Sequence, residues 1–232
     1  MTADVAMHMS DGLLNTTTSL LFAAVAVIGI AVAAARARDD LDDRTAPMAG
    51  LVAAFVFATQ MLNFPVLPGV SGHLLGGALA AILVGPWVGA LCVSIVLVVQ
   101  ALVFADGGVT ALGANVTNMA IIGTAVGFAV ATVLKRFTRT KPGLAAVAFT
   151  AAFVNTVVAS LGFVLEFALG GDPAFGLGGV TATIVGVHCL IGIGEGVITA
   201  LTVVAIAAVR PDLVHLLRGA RRPLDVREES PA

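Results

Sequence analysis

The sequence predicts an all-α, polytopic membrane bundle of about seven transmembrane helices. Three observations carry that prediction. The 232 residues are 59% hydrophobic and only 11% charged, whereas soluble domains run to about a quarter charged. Charge this sparse cannot cover the surface of a soluble particle of this size, and the mean hydropathy of +1.04 agrees. The apolar stretches are also long and continuous. In lipid every backbone polar group needs an internal partner, so only helices or a closed barrel can span. A barrel needs strands of roughly ten residues with alternating polarity, a pattern absent here, so helices are expected.

Taken in order, the apolar segments run over 17–36, 47–63, 73–85, 87–104, 113–134, 144–169 and 179–209. Each is about long enough to cross ~30 Å of hydrocarbon, except the third. That one is short and begins at Gly72-His73, which predicts a tilted helix or a loop that folds back into the membrane. The seventh is longer than a crossing requires. No internal repeat, low-complexity tract or second domain is visible. Residues 7–209 are expected to form the membrane domain and 210–232 a basic cytoplasmic tail. The N-terminal polar stretch lacks the basic start of a cleavable signal peptide.

The twelve Lys and Arg residues settle orientation. Arg36, Arg38 and Arg44 follow the first segment, and Lys135, Arg136, Arg139 and Lys141 follow the fifth. Arg210, Arg218, Arg221, Arg222 and Arg227 follow the seventh. Seven crossings put these groups on one side, and the positive-inside rule makes it cytoplasmic. The N-terminus and the 64–72, 105–112 and 170–178 loops then share the outer side of the cell membrane. They contain no Lys or Arg but do contain Asp4, Asp11, Asp106 and Asp172. Such a face suits a cationic solute. A net charge of −2 leaves no nucleic-acid footprint.

Candidate chemistry gathers on that outer side. His8 and His73 reach it from independent segments, and imidazole is a common ligand for borderline transition metals. The alternative is a pair of unrelated interfacial histidines. Gly69, Gly72, Gly76 and Gly77 bracket His73. They give it the freedom of a loop dipping into a bundle; the alternative or additional reading of Gly76 and Gly77 is as small packing residues for the helices. Gln100, Asn115 and Asn118 stand at or near helix ends and are candidates to orient the histidines. His188 and Glu195, seven residues apart on one helical face, are expected to be structural or coupling residues rather than ligands. His215 is expected to be solvated. Cys92 and Cys189 lie in apolar runs as small buried hydrophobes. No nucleotide-binding, nucleophile-elbow or zinc-protease motif is present, so the chain is not expected to be an enzyme.

Several stretches resemble the CbiM/NikM family, the substrate-capturing membrane component of cobalt and nickel energy-coupling factor transporters. They are Met7-His8-Met9-Ser10-Asp11-Gly12, Gln60-Met61-Leu62-Asn63-Phe64-Pro65-Val66 and Ser71-Gly72-His73-Leu74-Leu75-Gly76-Gly77. Gly85-Pro86-Trp87, the run from Gln100 to Gly108, Gly113-Ala114-Asn115-Val116-Thr117-Asn118-Met119 and Gly192-Ile193-Gly194-Glu195-Gly196 follow in order. The resemblance covers nearly the whole chain. It implies a site made of the amine of Met7, the amide nitrogen and imidazole of His8, and the imidazole of His73. Amine and amide would close a five-membered ring, amide and imidazole a six-membered one. Four nitrogens suit nickel(II), copper(II) or low-spin cobalt(II) rather than magnesium or calcium. The chelate requires a free amine at Met7, so residues 1–6 are expected to be removed or not translated. The resemblance further implies a membrane T component, two cytoplasmic ATPase subunits and a small accessory membrane protein as partners. Ala49, Gly50, Ala53 and Ala54 are the candidate T-component contact, or else pack within the chain. Cobalt(II) or nickel(II) would be cargo, with no prosthetic group. A structural subunit that binds no metal, and a stand-alone channel or proton-coupled carrier, are the rival readings.

Overall fold

The computed structural model describes residues 8–43, 45–61, 64–67 and 70–218. The expectations for residues 1–6 and Met7, for Arg44 and for most of the tail lie outside those residues. The chain is almost wholly helical: α1 (Thr16–Asp40), α2 (Thr45–Gln60), α3 (Gly77–Val84), α4 (Pro86–Val103), α5 (Leu112–Asn115), α6 (Gly123–Val133), α7 (Lys141–Gly170) and α8 (Leu177–Val209). A π-helical stretch, Val116–Ile122, joins α5 to α6, so 112–133 is one continuous rod. Five helical stretches are long and apolar enough to cross a membrane, and α2 is a shorter apolar helix.

One local expectation changes. The 64–72 connection carries two short strands, β1 (Phe64–Leu67) and β2 (Val70–Gly72), paired antiparallel with Phe64 opposite Gly72. Four- and three-residue strands are too short to show an alternation of polarity, so the sequence pattern could not announce them.

Local chemistry sets several helix ends. Asn15 caps α1 by accepting from Thr18 N at 2.9 Å. Thr140 caps α7 through Gly143 N, with Pro142 in the first turn. A proline there loses no helical hydrogen bond. The same holds for Pro86 at the head of α4, which follows Gly85 at φ +91°.

The third segment is the centre of the bundle. Residues 73–76 are non-helical and α3 is only eight residues long, yet everything from His73 to Val84 is buried. Glycines let α3 lie against α6. A Cβ on Gly77 would stand 2.8 Å from the Gly123 carbonyl carbon, and one on Gly127 2.6 Å from Ala78 Cα. This is the small-residue contact that brings helices together where water gives no driving force. Non-helical backbone followed by a short helix carries the chain from the histidine end to the far end. There Gly85 meets the ring of His215. His215 is half-buried against Phe128, with ring centroids 5.7 Å apart, rather than solvated.

The described basic residues gather at that far end, near the C-terminal end of α1, between α6 and α7 and at the head of α7, and after α8. Lys135 Nζ donates to Arg218 O at 3.4 Å, and Arg218 donates to Thr45 Oγ1 at 3.0 Å.

Candidate functional site

At the other end four segments converge. The chain before α1 is tied to the α7–α8 connection, with Asn15 N donating to Gly170 O at 2.7 Å and Asp172 N to Leu13 O at 2.9 Å. It is tied equally to the connection after α4. Gly108 N donates to Met9 O at 2.8 Å, and Asp11 Oδ1 accepts from Thr110 N at 2.8 Å and from its hydroxyl at 2.6 Å. Those two bonds hold the Asp11 carboxyl below the usual carboxylate range. Asn115, at the end of α5, grips the backbone of Met9 from both sides. Its Oδ1 accepts from Met9 N at 2.8 Å and its Nδ2 donates to Met9 O at 3.2 Å.

This clamp places the residue before Met9, His8, inside the bundle. The rings of His8 and His73 lie 4.4 Å apart between centroids and are tilted by 43°. They are 2% and 1% exposed, so both sit in the interior rather than at an interface. His8 Nδ1 lies 3.2 Å from Asp106 Oδ1. That bond holds the Asp106 carboxyl below its ordinary range. His73 Nδ1 lies 2.8 Å from Leu74 O. A carbonyl can only accept, so Nδ1 of His73 carries the proton. Nε2 of each ring is buried and has no hydrogen-bond partner among the described residues. Buried polar nitrogens are seldom left bare. Bare imidazole nitrogens on adjacent rings are donors of the type a borderline metal takes, and each second nitrogen lies beside an oxygen, as is usual for metal-binding histidines. Gly107 makes the approach possible. It stands at φ +91°, and a Cβ there would come within 3.0 Å of His8 Cβ.

Among the described residues no group of three or more His, Cys, Asp or Glu side chains is arranged to hold a metal. Further donors for an ion between the two rings would therefore be backbone groups, solvent or the chain before His8.

The other predicted residues form the layer around and beneath. Gln100 accepts Asp106 N at its backbone oxygen, 3.0 Å away, while its side chain reaches Met61 Sδ at 3.9 Å. Asn118 donates to Glu166 Oε2 at 2.6 Å. None of Gln100, Asn115 and Asn118 bonds to a histidine ring; Asn115 acts one residue away, on Met9. Glu166 is buried and was not singled out from the sequence, because a single glutamate late in an apolar run carries no motif. Leu75, Asn115, Asn118, Met119, Ala159, Phe163 and His188 enclose a small cavity. His188 keeps its Nδ1 on its own helix, 2.6 Å from Ile184 O. Glu195 accepts from Leu75 N and Gly76 N at 2.8 and 3.0 Å. On α2, Ala49 and Ala53 pack inward, whereas Gly50 and Ala54 face outward, with open space around Gly50.

Comparison with known proteins agrees with this arrangement. Residues 8–213 match the family CbiM, described as the cobalt uptake substrate-specific transmembrane region. A putative fused nickel transport protein NikMN from Archaeoglobus fulgidus is 43% identical over 212 residues, covering 90% of this chain and 68% of that protein. The cobalt transport protein CbiM of Sorangium cellulosum is 33% identical over 222 residues, 93% of this chain and 97% of that one. A crystal structure of a truncated transition metal transporter superposes with a TM-score of 0.79 at 29% identity. The match covers 87% of this chain and 99% of that one.

Proposed function

We propose that this chain, which belongs to the CbiM family of cobalt-uptake substrate-specific transmembrane proteins, captures a divalent transition-metal ion for import across the cell membrane. Cobalt(II), feeding cobalamin synthesis, is the first candidate cargo and nickel(II) the alternative. Relatives carry both names, and a nitrogen-rich site accepts either ion. One observation supports this reading above the others: the two buried, adjacent imidazoles of His8 and His73, each with an unpartnered Nε2.

The chain acts here as the capture component of an energy-coupling factor importer and carries no ATPase of its own. A membrane T component, two cytoplasmic ATPase subunits and a small accessory membrane protein complete the machine. Gly50 and Ala54, the outward pair of the small-residue set on α2, are the contact assigned to the T component. The histidine end faces outward, and the end rich in Lys and Arg, with residues 210–232, faces the cytoplasm.

The full ligand set is the amine of Met7, the amide nitrogen and imidazole of His8, and the imidazole of His73. A six-membered ring between the amide and the imidazole of His8 uses Nδ1, the atom now beside Asp106. Closing that chelate therefore turns the His8 ring away from Asp106. Binding through Nε2 instead leaves the Asp106 contact in place and needs no free amine.

The test titrates cobalt(II) and nickel(II) into purified protein starting at Met1 and at Met7, with His73→Ala beside them. Tight binding by the Met7 form only, lost in His73→Ala, supports the chelate. Equal binding by both forms moves the site to the two Nε2 atoms. Binding by neither overturns metal capture in favour of a structural subunit. Uptake that survives loss of the partner ATPases overturns the importer assignment.

A further inference from the structure

Glu195 lies more than half-way along α8 and is 1% exposed. Its carboxylate is turned onto the backbone of the loop that carries His73. Leu75 N donates to Oε2 at 2.8 Å and Gly76 N to Oε1 at 3.0 Å. Asn155 Nδ2 stands 3.3 Å from Oε1 and Thr156 Oγ1 3.0 Å from Oε2, both from α7. A buried carboxylate is costly unless its oxygens are satisfied. Here each oxygen has a backbone N–H, a group that can only donate.

The Leu75 N–H shares a peptide plane with the Leu74 carbonyl. That carbonyl is the acceptor of His73 Nδ1 at 2.8 Å. The peptide unit is planar and rigid, with N–H and C=O pointing opposite ways. Fixing one end fixes the other. The next plane is held at both ends as well, since Gln60 Nε2 donates to Leu75 O at 2.6 Å while Gly76 N is held by Glu195.

The geometry points to Glu195 as a positioning residue for metal capture. Through the Leu74–Leu75 peptide unit it fixes the orientation and tautomer of His73, keeping the proton on Nδ1 and leaving Nε2 as the free donor beside the His8 ring. The inference rests on the reading of His73 as a metal ligand. It also makes α8 part of the capture site without a contact to the ion. Any movement of α8 against α3 would turn the peptide plane and, with it, the imidazole.

Glu195→Gln tests this, because it keeps the shape but offers one acceptor where two are needed, so one backbone N–H faces another donor. Three readouts are taken on the purified protein. They are cobalt(II) affinity by titration, the visible spectrum of bound cobalt(II), and the ¹⁵N shifts of the metal-free histidine rings, with His73 assigned by its loss in His73→Ala. The expected result is affinity weaker by about tenfold or more, an altered cobalt spectrum, and a His73 signal moved from the Nδ1–H form towards a mixture.

Wild-type affinity with an unchanged His73 tautomer overturns the inference. So does weakened binding with an unchanged tautomer, which is what general loosening of the bundle would give. If Glu195→Gln does not fold, Glu195→Asp replaces it, with the charge kept and the reach shortened by one methylene. A smaller loss in the same direction supports the inference, and wild-type behaviour overturns it. His73→Ala separates the two levels. Wild-type binding there removes the ligand reading and this inference together. Lost binding there, with Glu195→Gln unaffected, removes the inference alone.

Discussion

The polar atoms of this bundle form two layers with opposite character. In the layer around His8 and His73, nitrogens and oxygens are buried without partners among the described residues: Nε2 of both rings and Oδ2 of Asp106. Around Glu195 the carboxylate itself is saturated, both of its oxygens accepting, although Oδ1 of Asn155 and Oε1 of Gln60 beside it have no partner among the described residues. The two layers are joined by the four residues from His73 to Gly76. Two bare imidazole nitrogens on adjacent rings are what the proposed capture of an ion needs, whereas a saturated carboxylate marks a place where the chain is held. Change at the histidines should therefore cost binding alone, and change at Glu195 should cost stability as well as binding.

His8→Ala should have the largest effect on capture. It removes one of the two bare imidazoles and should weaken cobalt(II) or nickel(II) binding by more than about 100-fold, beyond what supporting residues give. The thermal midpoint in detergent should hardly move. A large fall in that midpoint would erase the contrast between the layers. Glu195→Leu should lower stability as well as affinity. It leaves the Leu75 and Gly76 N–H groups bare at about 1–3 kcal/mol each, read as a lower midpoint by calorimetry or fluorescence-monitored unfolding. Gly107→Ala sharpens the boundary from the capture side. A residue with a side chain is strained at φ +91° by about 1–3 kcal/mol, and its Cβ would press on His8. Affinity should fall by about tenfold, and retained affinity would mean that His8 need not stand where it does. Gly50→Leu lies outside both layers. It should leave metal affinity unchanged in titrations of the purified chain and lower metal uptake in cells, because only partner packing meets that face. A change in affinity would place α2 in the capture apparatus.

Much of this was legible in the sequence. Long apolar runs gave the helices, because lipid leaves few alternatives. The shortness of the third segment was visible, and so were the glycines around His73. Gly76 serves as the left-handed turn and Gly77 as the close-packing residue, so the two readings of that pair were both correct. His8 and His73 were identified as a candidate pair, but their depth was not. Burial of a segment preceding the first helix depends on contacts such as Asn115 with Met9, which are 106 residues apart. For the same reason Asn118 could be flagged while its partner Glu166 could not. Polar residues announce that they need partners, but the sequence does not say which ones. The hairpin at 64–72 was too short to have a period, and the role of Glu195 towards Leu75 spans 120 residues.

The burial of α3 has a consequence for how the protein is made. Eight helical residues cover only about 12 Å, well short of the roughly twenty that insertion as a single helix requires. No side chain of α3 is left for lipid to solvate. The segment cannot wait alone in a bilayer for its neighbours. It reaches its place only as α4, α6, α7 and α8 close around it, so the pairing of His8 with His73, just ahead of it, is among the last features to form during biogenesis. A chain whose two imidazoles have met is thereby a chain whose assembly is complete.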